Sequence, residues 1–300
     1  MNRPAPASRA EIEVHVALVA VQVMFASLSV VAKIALKELP PFSLIAARAI
    51  LATTILCVAH SLRGWQRVAW RDLPTLFVYA FFGIIANQLI FIAGLERSTA
   101  TNAVVIGATI PVFTVGVALV LKRERATAAR LIGLLVAFAG AMAIVGAGRF
   151  EAGGTRLLGN LLIVCNSLSF SIYLVISRPL LARYSTLTVI TWTFIFGAIG
   201  VIPFGAKGLI EHAPALHATT WLAVAYIAIF PTVGTYFLNS YALKRAPSSL
   251  VAIYIYLQPV MGALMAAKWL HETSTIATLI GGLLIGFGIA LVNWSARRAA

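Results

Sequence analysis

The sequence predicts an all-α membrane protein: ten transmembrane helices that form two five-helix repeats of opposite orientation. Three observations support this fold class: the composition, the spacing of long apolar runs, and a match between the two halves of the chain. Of the 300 residues, 61% are hydrophobic and 11% are charged, whereas a soluble domain is roughly half apolar and a quarter charged. Nine carboxylates and 23 Lys and Arg are too few to cover a soluble protein of this size.

The composition also argues against several classes of function. The net charge of +14 comes from short basic clusters between apolar runs, a pattern that does not predict nucleic-acid binding. Cys57 and Cys165 lie inside apolar runs without a C-x-x-C motif, so we predict neither a disulfide nor a metal site. The H-E-x-x-H and P-loop motifs are absent from the sequence, and we predict no enzymatic activity and no cofactor.

Ten apolar runs have the length of about 20 residues that a helix needs to cross a bilayer. They cover Val14–Ala32, Phe42–His60, Leu73–Leu95, Thr101–Leu121, Ala128–Ala147, Leu157–Ser177, Leu187–Gly205, Trp221–Leu243, Ser248–Leu270 and Thr275–Trp294. The first run is not followed by a small-residue cleavage site at signal-peptide length, and we predict that it is retained. The connections are too short for a separate soluble domain.

Basic residues concentrate in alternate loops, which indicates the orientation of the helices. Three arginines lie between residues 63 and 71 and four bases between residues 122 and 130, whereas the intervening loops hold few. Because Lys and Arg are enriched in cytoplasmic loops, both termini are predicted to face the cytoplasm.

The two halves of the chain match when the sequence is shifted by 148 residues. Pro111 then aligns with Pro259, Glu124 with Glu272, and Gly140 with Gly288; chance matching of apolar residues is the alternative. Residues 14–148 and 157–294 are therefore predicted to be two repeats. Since each holds five helices, an odd number, equivalent helices enter the membrane from opposite sides. Inverted repeats of this kind are typical of alternating access around a midplane site.

The matching blocks are TIPVFTVGVALVLKRERATAARLIG and LQPVMGALMAAKWLHETSTIATLIG. In each, a proline within a helix precedes an acidic residue at the helix end and a glycine-bearing helix. This arrangement resembles the drug/metabolite transporter superfamily, in its ten-helix group built from two EamA domains, over nearly the whole chain. The resemblance implies export of small metabolites, often amino acids, through a cavity surrounded by helices one, three, four, six, eight and nine. The implied location is a bacterial inner membrane.

Polar side chains inside the spans are costly unless they face protein or a watery cavity, and they are the substrate-binding candidates. The amide candidates are Gln22, Asn87, Gln88, Asn166, Asn239 and Gln258, and the aromatic candidates are Tyr173, Trp192, Tyr236 and Tyr256. The alternative for the amides is hydrogen bonding between helices. For the aromatic residues it is ordinary packing.

Arg48 is a permanent charge well inside the second span, because a guanidinium does not lose its proton. It is a candidate for binding a substrate carboxylate, with an interfacial or structural anchor as the alternative. Pro111, Pro231 and Pro259 interrupt spans and are candidate gating hinges or static bends. Since no span holds a mid-membrane Asp or Glu, the sequence does not support proton or sodium coupling.

The sequence therefore predicts an exporter of small polar or amphipathic metabolites, with amino acids as the preferred class. The rival hypotheses are an exchanger of nucleotide sugars or phosphorylated metabolites and a non-transporting membrane sensor. The predicted partners are a small-molecule substrate and the lipid bilayer, but no nucleic acid. Gly282 and Gly286 form a seam of small residues that predicts packing within the monomer or, alternatively, a homodimer contact.

Overall fold

The structure, a computed structural model, describes residues 9–125, 127–145, 154–261, 264 and 276–299. This part of the chain is helical and contains no β-strand. The helices are α1 (Arg9–Ala35), α2 (Pro41–Leu62), α3 (Trp70–Leu95), α4 (Ala100–Gly107 and Ile110–Val120), α5 (Ala128–Val145), α6 (Leu157–Ile176), α7 (Thr186–His212), α8 (Ala218–Leu243), α9 (Ser248–Met261) and α10 (Ile276–Ala299).

The predicted all-α, multi-pass fold is confirmed. Nine helices in the described ranges are long and apolar enough to cross a membrane, and α9 is a shorter apolar helix. The predicted continuation of the ninth span to Leu270, the predicted start of the tenth at Thr275, and Glu272 between them lie outside the described residues.

Local residue types explain where several helices begin. Pro41 occupies the first turn of α2, where its missing N–H costs no hydrogen bond. The hydroxyl of Thr99 accepts the Asn102 N–H at the start of α4, and Ser185 caps α7 in the same way through Thr188. These N-caps satisfy backbone donors that the helix itself leaves free.

Four helices are interrupted at matching levels of the two halves. A π-helical segment spans Phe81–Ile85 in α3 and another spans Ala228–Gly234 in α8. The two segments align with each other when the sequence is shifted by 148 residues. In α4 the helix breaks into a turn at residues 108–109, and α9 has a 3-10 segment at Tyr254–Tyr256. The interruptions in α4, α8 and α9 accompany the predicted proline bends, whereas the π segment of α3 has no proline.

The contacts between helices agree with the predicted repeat of five helices. Three contacts join equivalent helices of the two halves: α2 packs on α7, α4 on α9 and α5 on α10. The other two contacts correspond to each other, since α1 packs on α8 and α6, the equivalent of α1, packs on α3, the equivalent of α8. The set of contacts is therefore unchanged when each helix is replaced by its equivalent in the other half. On the α5–α10 interface, a Cβ at Gly133 would lie 2.8 Å from the Gly288 carbonyl oxygen, and one at Gly140 would lie 2.6 Å from that of Gly281. The two equivalent helices are thus antiparallel, which supports the predicted inverted repeat.

The predicted packing seam at Gly282 and Gly286 has no packing partner among the described residues. No described atom lies within 4 Å of a Cβ built at either residue, whereas Gly281 and Gly288 make the close contacts with α5. The helix presents a different glycine face to its neighbour because residues one position apart on a helix point about 100° away from each other. The alternative, a homodimer contact, stays a prediction.

The loops that follow α2, α4, α6 and α8 meet on one side of the bundle, here termed the basic face. The Tyr184 hydroxyl oxygen accepts the Ala69 N–H over 3.2 Å, joining the first and third of these loops. The Ser248 hydroxyl donates to Glu124 over 2.5 Å, joining the second and fourth. The basic clusters predicted to be cytoplasmic therefore share one face.

On the opposite face, Glu38 in the α1–α2 loop forms hydrogen bonds with residues at the start of α8. Its carboxylate accepts hydrogen bonds from the His217 N–H over 3.0 Å, from Nδ1 of the same ring over 2.8 Å and from the Thr220 hydroxyl over 2.8 Å. The backbone N–H of His217, followed by Thr220, lowers the pKa of Glu38 below its usual value. The first helical turn of α8 is thereby fastened to the α1–α2 loop.

Candidate functional site

Tyr236 of α8 lies at the centre of a polar group in the middle of the bundle. Its buried hydroxyl donates to the carbonyl oxygen of Gly83 in α3 over 2.5 Å. Gln88 of α3 and Arg48 of α2 are its polar side-chain neighbours, and the ring centroid of Tyr173 of α6 lies 6.0 Å from its own. We call Arg48, Gln88, Tyr173 and Tyr236 the central polar cluster; it draws residues from four helices and both halves.

The π segment of α3 shapes this cluster. It leaves the Gly83 carbonyl available to Tyr236 and the Phe82 carbonyl available to the Ser169 hydroxyl, which donates over 2.8 Å. A Cβ at Gly83 would lie 2.6 Å from the Tyr173 ring, so glycine is needed for this approach. Irregular backbone inside a membrane is tolerated where protein groups satisfy its carbonyls, and π segments are frequent at functional sites.

Arg48 is a partly buried cation without a counter-charge in the described part of the chain. Its Nε atom is buried and has no hydrogen-bond partner there, and no ion pair among the described residues includes it. The described carboxylates all lie near helix ends, at Glu11, Glu13, Glu38, Asp72, Glu96, Glu124 and Glu211. A charge held in a low-dielectric environment needs a partner, which a ligand anion would supply.

Further hydrogen-bonding groups lie on the helices around the cluster. The Gln258 side-chain amide donates to Gln22 over 3.0 Å and joins α9 to α1. The side-chain oxygen of Gln88 is buried and has no partner among the described residues. Asn239 is buried on α8 beside Ser240, whose hydroxyl interacts with that of Tyr173. The unsatisfied Gln88 oxygen leaves hydrogen-bonding capacity for a polar ligand.

The recorded contacts of other predicted site residues are with groups outside the cluster. Asn166 donates to the backbone carbonyl of Asn87 over 2.5 Å, a bond that joins α6 to α3. The ring of Trp192 packs edge-on against Trp65 of the α2–α3 loop, with centroids 6.4 Å apart. Tyr256 is fully buried, and its ring contacts α5 rather than the cluster. Substrate binding by these residues stays a prediction.

The three candidate gating prolines lie at or beside helix interruptions. Pro111 begins the second part of α4, Pro231 lies inside the π segment of α8, and Pro259 follows the 3-10 segment of α9. The Ser171 hydroxyl donates to the Ile110 carbonyl over 2.9 Å and so fastens the bend of α4 to α6. The bends are therefore present, and their movement stays a prediction.

Metal-binding geometry is absent from the described ranges. No group of three or more His, Cys, Asp or Glu side chains lies close enough there to hold an ion. The cluster consists of a guanidinium, an amide and two phenols, a donor set that suits anionic and polar organic ligands better than cations.

The chain is similar to known transporters over nearly its whole length. The profile of the EamA-like transporter family matches residues 14–146 and 157–294. An uncharacterized transporter of Archaeoglobus fulgidus is 30% identical over 93% of this chain and 96% of its own. A probable terminal-alkyne amino-acid exporter of Streptantibioticus cattleyicolor is 29% identical, with 82% of each chain covered.

A solved crystal structure shares the fold with a TM-score of 0.80 at 23% identity, covering 96% of this chain and 98% of its own. The family and the relatives are named as transporters and not as enzymes. The resemblance that the sequence indicated is thus confirmed. The chain is a multi-pass membrane protein that belongs to the EamA-like transporter family.

Proposed function

We propose that the protein exports small metabolites that carry a carboxylate, with amino acids as the main class, by alternating access around the central polar cluster. The observation that carries the proposal is Arg48, whose guanidinium has no counter-charge among the described residues. A guanidinium pairs with a carboxylate through two parallel hydrogen bonds. A substrate carboxylate would therefore stabilise a charge that is otherwise unpaired in the membrane.

The rest of the cluster suits the remaining groups of an amino acid. The buried, unpartnered oxygen of Gln88 can accept a hydrogen bond from an ammonium group. The rings of Tyr173 and Tyr236, with centroids 6.0 Å apart, offer apolar faces to a side chain. The amino-acid class is also supported by the relative named as a probable amino-acid exporter.

Alternating access is supported by the relation between the two halves. The helix contacts are preserved when helices five positions apart are exchanged, and the interruptions of α3, α4, α8 and α9 lie at matching levels. In transporters built from inverted repeats, such broken helices surround a midplane site and one repeat rocks against the other. We place the protein in a bacterial inner membrane with both termini and the basic face in the cytoplasm.

The rival substrates, nucleotide sugars and phosphorylated metabolites, carry two or more negative charges. The central polar cluster contains one cation, Arg48, and a doubly charged phosphate would call for further bases. A non-transporting sensor has no support from the relatives, which are named as transporters.

The test is transport by purified protein in liposomes, with a panel of labelled amino acids, nucleotide sugars, sugar phosphates and lipophilic cations. We expect flux of at least one amino acid and a loss of about tenfold or more in Arg48→Gln, because one charge-assisted pair is removed. Arg67→Gln, which removes an equal charge from the α2–α3 loop, is the control and should transport normally. No amino-acid flux by folded protein, or an unaffected Arg48→Gln variant, would overturn the proposal.

A further inference from the structure

Two sets of hydrogen bonds, one on each face of the bundle, join the two halves of the chain at equivalent positions. On the basic face, the first turn of α3 contacts the α6–α7 loop. The Asp72 carboxylate accepts hydrogen bonds from Nη1 of Arg183 over 3.0 Å and from the Tyr184 hydroxyl over 2.6 Å. The Tyr184 oxygen in turn accepts the Ala69 N–H over 3.2 Å. We call this set the basic-face latch.

The opposite-face latch consists of the bonds from His217 and Thr220, in the first turn of α8, to Glu38 of the α1–α2 loop. The 148-residue shift aligns Ala69 with His217, and both donate a backbone N–H to the loop of the other half. It also aligns Asp72 with Thr220, and both bond to that loop through the side chain. The two latches are therefore related by the inverted repeat.

Each latch holds the end of a half-helix whose other end is a π segment. In α3, Leu73–Ala80 lies between the basic-face latch and the π segment Phe81–Ile85. In α8, Ala218–Ile227 lies between the opposite-face latch and the π segment Ala228–Gly234. Helices bend where their ladder of hydrogen bonds is interrupted, and hinges of domain movements lie at the ends of such elements. Each half-helix thus combines a hinge inside the membrane with a latch at its surface.

The two latches differ in burial and in charge. The Asp72 side chain is 9% exposed and pairs with Arg183, which is permanently charged. The Glu38 side chain is 29% exposed, and its partner His217, which is 79% exposed, is charged only when protonated. Because water and salt screen a pair less where it is less exposed, the basic-face latch is the more stable of the two.

We propose that the two latches are the gates of the alternating-access cycle, each released when its half-helix moves about the π segment, and that the opposite-face latch opens first. Both latches are formed in the structure, so access from either face requires that one of them break. The inference rests on alternating access, which is part of the proposed function. It depends neither on the identity of the substrate nor on Arg48.

Two buried positions can report on the gates. Leu76 lies one turn beyond Asp72 on α3, and Val224 lies one turn beyond Thr220 on α8. Both are 0% exposed, and the 148-residue shift aligns them. In a cysteine-free background, Leu76→Cys or Val224→Cys is reacted with a water-soluble thiol reagent in lipid nanodiscs, which expose both faces, without substrate. Each rate is divided by that of the SDS-denatured protein to remove differences in intrinsic reactivity.

The expected rates follow from the two latches. With both latches intact, Val224→Cys should react faster than Leu76→Cys. Asp72→Asn should raise the rate at Leu76→Cys about tenfold, because it weakens charge-assisted hydrogen bonds, without raising the rate at Val224→Cys. Glu38→Gln should have the reverse effect.

Two further variants make the test specific. Tyr184→Phe keeps the ring and removes only the hydroxyl, and it should act in the same direction as Asp72→Asn. Glu211→Gln breaks the exposed pair with Lys207 inside α7, which does not join the halves, and it should change neither rate.

The outcomes separate gating from general loosening of the fold. Unchanged rates, or equal rises at both reporters, in Asp72→Asn and Tyr184→Phe would overturn the proposal. A faster reaction at Leu76→Cys than at Val224→Cys with both latches intact would overturn the order of opening. Since no substrate is present, a lack of amino-acid flux in liposomes would count against the export proposal and not against the gates.

Discussion

Glu124, between α4 and α5, forms a buried ion pair with Arg130 and links this loop to the start of α9 on the basic face. The side chains of Glu124 and Arg130 are each 5% exposed, and Nη1 of Arg130 donates to the carboxylate over 3.0 Å. The same carboxylate accepts the hydroxyls of Ser248 and Ser249 over 2.5 Å each and the Ser249 N–H over 3.2 Å, at the start of α9. We therefore expect Glu124→Gln to be strongly destabilising.

The expected magnitude follows from the burial of both charges. Removing one partner of a buried pair leaves the other charge uncompensated, at a loss of about 3–5 kcal/mol in the free energy of unfolding. The double variant Glu124→Gln/Arg130→Met leaves no unpaired charge, so its loss should be smaller than that of Glu124→Gln alone. Glu96→Gln breaks an exposed pair with Arg97, whose nitrogen lies 3.5 Å away, and should cost about 1 kcal/mol or less.

The assay is equilibrium unfolding of the purified variants in mixed micelles, with increasing SDS and tryptophan fluorescence as the signal. A loss below about 1 kcal/mol for Glu124→Gln would refute the reasoning, because it falls in the range of exposed pairs. A double variant less stable than Glu124→Gln would also refute it. That result would mean that Arg130 is stabilised by groups other than the carboxylate.

Three further predictions concern packing, topology and pH. Gly281→Ala places a Cβ 2.6 Å from a carbonyl oxygen of α5 and should lower the free energy of unfolding by about 1–3 kcal/mol. The control is Gly282→Ala, whose Cβ would have no described atom within 4 Å and which should not lower the stability in the same unfolding assay. In a cysteine-free background, Arg125→Cys and Thr273→Cys should react with an impermeant thiol reagent from opposite sides of the membrane; labelling from one side would refute the inverted repeat.

The pH prediction follows from the lowered pKa of Glu38. Its stabilising contribution is present above the ordinary Glu pKa of about 4.3 and is lost as the pH falls through the lowered value. The thermal midpoint should therefore drop less on acidification to about pH 3 in Glu38→Gln than in the wild type, and an equal drop would refute this assignment.

The sequence predicts the helices well because hydrophobic length is a direct physical requirement of the bilayer. It predicts their ends less well, since a helix continues beyond the hydrocarbon wherever its backbone remains hydrogen-bonded. α1 begins at Arg9 rather than Val14, and α7 continues past Gly205 to His212. Lys207 and Glu211, spaced as a helical ion pair, extend that last turn into the polar region.

The candidate site is only partly predictable from residue types. Arg48, Gln88 and Tyr236 are identified because polar groups in a span are costly and need partners. The bond from Tyr236 to Gly83 is not predictable, because that carbonyl becomes available through a π segment that no proline marks. Residue type also does not separate cavity lining from helix pairing, and Asn166 bonds a backbone carbonyl of a neighbouring helix.

The central claim is that Arg48 binds the carboxylate of a transported amino acid. The most direct measurement compares liposome counterflow of the best-transported amino acid with that of the amine that differs only by loss of the carboxylate. We expect wild-type flux of the amino acid to exceed that of the amine by about tenfold or more, and Arg48→Gln to remove most of this preference. Equal flux of the two compounds in the wild type, or an unchanged preference in Arg48→Gln, would contradict the account.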